Sequence, residues 1–408
     1  MGTTLNKKVV WFINEYAGSP RYGMVFRHYY LGRELIKHGY DVWIVSANYS
    51  HLFYKYPPYI GKEVIDGINY YWIKVMKYSH AHSKKRVLKW FQFSAKLFKH
   101  LKFLPKPDYI YVSSPFLFPI VPAYFYSKKH KAKLIFEVRD IWPLTLVELG
   151  GYSWKHPFIK FLRYIELFVL EKADKIVSVL FNFGKYLQDI GIDRNWYYIP
   201  NAVSLENVEE QELPNSFIQK IPKGKFIIAY TGTIGWANSL DTLLRAAEIL
   251  KGKKDIVFVI VGKGKEKQKL IFMKKEKRLE NVIFLEPIAK NQVLTFLRKF
   301  VNVAYIGLRR KKIFKYGVSP NKIFDYMLAK KPILHSINTP NDLVSQAKCG
   351  ITVEAENPKA IADAILEFYK MSREERRKMG EKGFQFLLKN HTYEKLARKL
   401  MIEVLDDL

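Results

Sequence analysis

Four short stretches of the sequence hold the residue types and spacings that could do chemistry. In "KYGVSPNKIFDYM", Ser319 and Pro320 read as a helix start, with serine capping and proline at the first helical position. Lys322 then falls in the first turn, where the helix dipole favours an anion over a cation. Asn321 and Asp325 lie four apart and Lys322 and Asp325 three apart, so all share one face. Two readings follow: a structural Lys322–Asp325 salt bridge, or a cation held for a bound anion. In "YTGTIGWANSLD", Gly232 and Gly235 separate an apolar run from a helix starting near Ser239 or Leu240, which suits a phosphate loop or a plain strand-to-helix turn. In "GSPRYG", Gly18 and Gly23 would let backbone amides approach a ligand ahead of a helix from Met24 to His38, and a tight turn fits equally. In "FEVRDIWP", a buried-looking strand ends in Glu137, Arg139 and Asp140, either a structural ion pair or a site.

Metal chemistry has little to work with. No D-x-D pair occurs, and "HAH" at His80–His82 has ligand spacing but sits in a basic segment without acids. Glu354 and Glu356 read as a solvated strand end. The one cysteine, Cys349, excludes a disulfide framework and a cysteine-based zinc site and fits a reducing, cytoplasmic compartment.

These stretches need a scaffold, and the apolar pattern supplies one. "VVWFIN", after Lys7 and Lys8, is too short for a secretory signal and reads as a first strand. A loop, a helix and "DVWIVSA" complete a strand–helix–strand unit, and "YIYVSS", "KLIFEVRD" and "KIVSVL" continue the series. The uncharged run Tyr109–Tyr126 has transmembrane length but holds Pro115, Pro119 and Pro122, so strand, loop and helix start are expected there. After the acidic interval 204–216, taken as a linker, a second series runs through "FIIAYTG", "IVFVIVG", "VIFLE", "VNVAYI" and "PILHSI". The expectation is an α/β protein with two doubly wound parallel sheets in tandem, residues 1–203 and 217–390, with ligands at the carboxyl ends of the strands.

The net charge is +30, of which residues 1–200 contribute 30 Lys+Arg less 14 Asp+Glu, or +16, leaving +14 for the remainder. No single tail carries it, and a broad positive field favours anionic partners in general. Residues 83–107 concentrate it: eight Lys or Arg, no acid, and Val87, Trp90, Phe91, Ser94, Leu97, Phe98 and Leu101 on one side of a helix, with Lys85, Lys89, Gln92, Lys96 and Lys99 largely opposite. An ordinary surface helix, a helix lying in an anionic membrane surface, and a nucleic-acid surface all fit, although no nucleic-acid-binding signature is present. In the membrane reading the contacts are Lys85, Arg86, Lys89, Trp90, Phe91, Lys96, Phe98 and Lys99.

"INEYAGSPRYGMVFRHYYLGRELIKHGYDVWIVSA", "FEVRDIWPLTLVELGGY", "IPNAV", "YTGTIGWANSLDTLLRAAEIL", "VIVGKGKEKQKL" and "GVSPNKIFDYMLAKKPIL" together resemble the retaining glycosyltransferases of family 4, in family order over roughly residues 8 to 370. The closest similarity is to the fucosamine-type transferases of O-antigen and capsule assembly. The resemblance implies the GT-B fold, two Rossmann-like domains facing across a cleft, with a final helix within 391–408 crossing back to the first domain. It also implies metal-independent transfer from a UDP-sugar, with an N-acetylated hexosamine or deoxyhexosamine as the sugar. The implied acceptor is a polyprenyl-diphosphate-linked sugar at the inner face of the plasma membrane, with no nucleic-acid partner.

The resemblance carries roles onto this chain. It places Gly23, Thr233, Gly235, Lys263, Gly317, Val318, Ser319, Pro320, Asn321, Lys322 and Asp325 around the donor, with Asp325 on the ribose. The family's diphosphate-binding Arg and Lys align with Thr233 and Asn238, the first glutamate of its Glu-x7-Glu motif with Gly317, and its N-domain histidine with Arg139. With that Arg–Lys pair absent, Lys322 is the expected cation on the leaving diphosphate, and Arg139, Asp140 and Glu137 complete the expected catalytic set. The rival enzyme reading is a UDP-GlcNAc 2-epimerase of the same fold, and a more distant one is a basic nucleic-acid-binding protein.

Overall fold

The computed structural model describes residues 7–23, 25–57, 60–78, 84–206 and 210–406. His80–His82 and Met24 lie outside them. The chain forms two compact units, Met1–Asn201 with Tyr393–Leu408, and Ala202–Thr392. The chain passes between units inside "IPNAV", ahead of the acidic interval 204–216 that the sequence marked as a linker. That interval belongs to the second unit, where Leu213 and Phe217 are buried in its core.

The first unit is an eight-stranded sheet in the order β3-β4-β2-β1-β5-β6-β7-β8. Its strands are β1 Val9–Ile13, β2 Asp41–Ala47, β3 Gly61–Ile65, β4 Ile68–Ile73, β5 Tyr109–Ser113, β6 Lys133–Val138, β7 Lys175–Ser178 and β8 Tyr197–Tyr198. All pairings are parallel except β3 with β4, a hairpin turning at Asp66 and Gly67, both at positive φ. Val10 to Ile13 and Val42 to Ala47 are buried without alternation, as befits strands covered on both faces. The tract Tyr109–Tyr126 resolves into β5, a proline-containing loop and the helix Ile120–His130. No helix among the described residues is long and apolar enough to cross a membrane. The helix expected over Met24–His38 is seen at Arg27–Lys37. The last segment, Tyr393–Leu400 and a π-helical turn Met401–Leu405, lies on this unit. Tyr393 stacks on Tyr30 at 5.0 Å, and the Tyr109 hydroxyl donates to the Leu405 carbonyl at 2.7 Å.

The second unit is an all-parallel six-stranded sheet, β11-β10-β9-β12-β13-β14. The strands are β9 Phe226–Thr231, β10 Ile256–Val261, β11 Val282–Leu285, β12 Val303–Gly307, β13 Ile333–Ser336 and β14 Gly350–Val353. Numbered within the unit this is the order 3-2-1-4-5-6 of a dinucleotide-binding sheet, whose direction of winding reverses between β9 and β12. Ligands of such sheets bind beyond the carboxyl ends of the strands at that reversal. Apolar clusters pack on both faces of this sheet, one including Ile227, Ala229 and Val259, the other Ile228, Tyr230 and Phe258.

Candidate functional site

The loops after β9 and β12 are the two that flank the reversal. Beyond β9, Gly232 has φ +129°, and a Cβ there would stand 2.5 Å from Lys322 Cε. The glycine therefore gives the lysine its path. The adjoining loop after β10 is equally close: a Cβ on Gly262 or Gly264 would collide with the carbonyl oxygen of Gly232 or Ile234. Backbone bonds knit the two loops, Gly232 N–H to the Val261 carbonyl and Ile234 N–H to the Lys263 carbonyl, each 2.9 Å. Among the described residues the amides of Thr233 and Gly235 take no partner.

Beyond β12 the chain makes a 3-10 turn, Lys312–Tyr316, passes Gly317 at φ +102°, and enters the helix Asn321–Leu328. Pro320, rather than Ser319, occupies the cap position, so no side chain caps the helix. The amides of Asn321 and Lys322 are first-turn donors without an intrahelical acceptor. Buried Asn341 fixes the loop from behind: its Oδ1 accepts from Val318 N–H at 3.3 Å and its Nδ2 donates to the Val318 carbonyl at 3.0 Å. Tyr326, fully buried one turn after Lys322, joins helix to sheet by accepting from Thr231 N–H and donating to the Tyr305 carbonyl, both at 3.2 Å.

Lys322 is half-buried, and its ammonium lies 5.1 Å from the centre of the Tyr230 ring. Burial lowers its pKa to about 8, with nearby Asp325 acting in the opposite sense. The Lys322–Asp325 salt bridge is not formed; Asp325 pairs with Lys290 at 3.7 Å. Among the described residues Lys322 makes no hydrogen bond or ion pair. The site thus assembles a desolvated cation, glycine-loop amides and a helix start. Arg309, which sequence reasoning missed, fastens this corner: it binds Asp241 and Glu356 at 2.7 Å each and the Trp236 carbonyl at 3.1 Å, with its guanidinium over the Trp236 ring. Glu354 and Glu356 are therefore ion-paired, with Arg310 and Arg309 respectively, rather than merely solvated. Lys263 is exposed at the loop after β10, and a Cβ at Gly235 would meet nothing closer than 3.5 Å.

In the first unit the structure corrects several expectations. Glu137 is completely buried and saturated: it binds Arg27 Nε at 2.7 Å, the Tyr111 hydroxyl at 2.8 Å and the Ser113 hydroxyl at 2.6 Å. Burial alone would raise its pKa, but Arg27 in particular holds it down to about 2. Arg27 also donates to the carbonyls of Ile199 and Pro200, so this is a structural brace and not a catalytic carboxylate. Arg139 and Asp140 sit past the end of β6, half-buried and exposed respectively, with both amides donating to the Ser114 hydroxyl. Gly23 bridges to Phe53, where a Cβ would come within 2.6 Å of Phe53 Cα. Its glycine is explained inside its own unit.

The helix Lys84–His100 is rotated from the sequence expectation. Lys89 and Trp90 face inward: Lys89 pairs with buried Glu15 at 3.6 Å and lies over the Tyr16 ring at 4.4 Å, while Trp90 Nε1 donates to the Tyr16 hydroxyl. Both therefore leave the set of candidate membrane contacts. Phe91 and Phe98 point outward.

Comparison with known proteins matches this architecture. Residues 23–207 match the family described as Glycosyltransferase Family 4 and residues 212–386 that described as Glycosyl transferases group 1. The two matches lie in tandem, one over each half of the chain. Curated relatives include "Probable glycosyltransferase WbjE" of Pseudomonas aeruginosa, 24% identical over 58% of this chain and 59% of its own length. Another is the "Poly(ribitol-phosphate) alpha-N-acetylglucosaminyltransferase" of Staphylococcus aureus, 25% identical over 50% of this chain and 38% of its own length. The matched part spans about 40–60% of the length of these glycosyltransferases. Similar solved structures are the sucrose-phosphate synthase (tll1590) of Thermosynechococcus elongatus, at 14% identity over 98% of this chain and 99% of that one with TM-score 0.73, and Anabaena Alr3699/HepE in complex with UDP-glucose, at 13% identity over 98% and 100% with TM-score 0.68. At such identities the likeness shows the fold, two Rossmann-like domains of the GT-B class.

Proposed function

We propose that this protein is a retaining, metal-independent glycosyltransferase that moves a sugar, an N-acetylated hexosamine or deoxyhexosamine, from a UDP-sugar to a polyprenyl-diphosphate-linked acceptor in surface polysaccharide assembly at the inner face of the plasma membrane. The observation that carries the reading is the desolvated, unpaired Lys322 ammonium between a glycine loop and a helix start at the reversal of a dinucleotide-type sheet. Such a group needs an anion, and a leaving diphosphate is one whose charge grows as the glycosidic bond breaks. UDP is supported as the nucleotide by the similar Anabaena structure, which is a complex with UDP-glucose.

In the proposed step the bond from the sugar's anomeric carbon to the β-phosphate oxygen breaks, its electron pair going to the phosphate, while the acceptor hydroxyl oxygen bonds to that carbon from the same face. The acceptor's proton passes to the departing phosphate, so no dedicated base is required. Lys322 and the amides of Thr233, Gly235, Asn321 and Lys322 receive the developing charge. Gly317, Val318, Ser319 and Pro320 shape the sugar side, Asp325 exchanges Lys290 for the ribose hydroxyls, and Lys263 lies near the diphosphate. Arg139 and Asp140 are assigned to the sugar and acceptor.

Lys322→Ala tests this. Sugar transfer should fall by about a hundredfold or more while the fold is kept, and near-normal turnover would remove Lys322 from the reaction. Thermal stabilisation across a panel of nucleotide sugars identifies the donor, since a ligand bound only by the folded state raises its stability with occupancy; a flat response to every uridine nucleotide would overturn the reading.

A further inference from the structure

The outward turn of Phe91 and Phe98 gives the first unit an aromatic face that no described element covers. Phe91 and Phe98, two turns apart on the helix Lys84–His100, are 41% and 45% exposed. Phe98 lies 6.1 Å from Phe125 of the helix Ile120–His130, itself 57% exposed. Phe91 lies 4.2 Å from Phe118, which lies 6.0 Å from Phe161 of the helix Pro157–Lys172. Three helices therefore present exposed rings in two groups, one through buried Phe118, that share the helix Lys84–His100, and Leu88 and Tyr164 on the same helices are exposed too. Soluble surfaces seldom leave so many large apolar groups open unless something covers them.

The charge says what that is. On the same three helices and the turn Leu101–Phe103, Lys85, Lys99, Lys102, Lys128, Lys129 and Lys160 are exposed. Between residues 84 and 134 there is one acid, Asp108, whose carboxylate accepts from the Val9 amide, and on the helix Pro157–Lys172 Glu166 is buried against Arg163 while Glu171 is exposed at its last turn. Exposed rings accompanied by six exposed lysines and few free carboxylates match the boundary of an anionic bilayer, where rings enter the acyl edge and ammonium groups meet phosphates. A protein partner of comparable apolar area would leave these cations in need of matching acids.

We infer that the face formed by Phe91, Phe98, Phe125 and Phe161, with its surrounding lysines, docks on anionic lipid. This moves the contact from the amphipathic side of one helix, which is buried in the unit, to the ridge shared by three. It deepens the lipid-linked acceptor reading, yet it is measured without turnover.

The test is flotation of the full chain with vesicles of phosphatidylcholine alone and of phosphatidylcholine with phosphatidylglycerol, at low and high salt. Binding should require the anionic lipid and weaken as salt rises. The triple variant Phe91→Ser, Phe125→Ser, Phe161→Ser should bind at least about tenfold more weakly with an unchanged circular dichroism spectrum, whereas Lys322→Ala should bind as the unaltered chain does. The inference is overturned if the unaltered chain ignores anionic vesicles, if the folded triple variant binds them equally well, or if the same substitutions instead abolish self-association seen by light scattering. Absence of UDP binding by the unaltered chain would count against the proposed activity alone.

Discussion

At the scale of single residues, Lys322 sets a conflict between stability and use. Its pKa falls from 10.5 to about 8, so the folded state holds its proton less firmly than the unfolded chain does. The cost of the buried charge is fully present below pH 8 and is relieved as pH rises from about 8 to 10.5. Lys322→Met should therefore stabilise the ligand-free protein by about 2 kcal/mol at pH 7, allowing for the lysine's partial exposure; a lower melting temperature would contradict this. A bound diphosphate favours the ammonium, so UDP affinity should hold below pH 8 and decline above it by up to about tenfold per unit. Calorimetric titration from pH 7 to 9.5 reads this, and a flat profile would separate Lys322 from the phosphates.

The glycines divide just as clearly. Gly232→Ala meets the Lys322 side chain at a positive φ and should lower both stability and UDP affinity. Gly235→Ala has room, so its unfolding free energy should stay within about 0.5 kcal/mol of the parent, and any lost affinity would report on the ligand. The sequence announced both glycines, but only the fold distinguishes the one that accommodates Lys322 from the one left open. Asn341 and Tyr326 were illegible because each acts on a backbone group far away in the chain, with no local signature.

At the scale of elements, charge was the less readable signal. Glu137 looked like a strand-end acid, yet strand alternation turns it inward to Arg27 on a helix 110 residues earlier. Its pKa is depressed, so its contribution is present above about 4.5 and is lost as pH falls toward 2. Glu137→Gln should cost about 3 kcal/mol at pH 7 and flatten the acid limb of stability between those values, measured by urea unfolding. An unchanged limb would mean that other carboxylates set it.

The helix Lys84–His100 misled in the same way. An amphipathic projection sends every lysine outward, whereas Lys89 is held inside by Glu15 and Tyr16, and that rotation brings Phe93 in and Phe91 out. Most buried strands were legible as short apolar runs. The hairpin of β3 and β4 carried an Asp-Gly turn signal that went unread, because the half-exposed β3 lacks an apolar run.

At the scale of the whole molecule, the tandem of two parallel sheets followed from the alternation of strands and helices, but neither strand order did, since order is fixed by crossovers and not by local pattern. The first unit is also discontinuous in sequence. Removing Tyr393 onward should strip protection from the helix Arg27–Lys37, which loses the Tyr30–Tyr393 stack, and leave β9 to β14 protected. Hydrogen exchange measured by mass spectrometry distinguishes this from a uniform loss.

The same discontinuity has a consequence in time. Between Asn201 and Tyr393 the ribosome must add 191 residues, Ala202 to Thr392. At about 5–20 residues per second the first unit waits about 10–40 s for its closing segment. During that interval Tyr30 and Tyr109 lack the partners they have at the end, so the nascent chain offers chaperones a defined window that closes only when its last turn emerges.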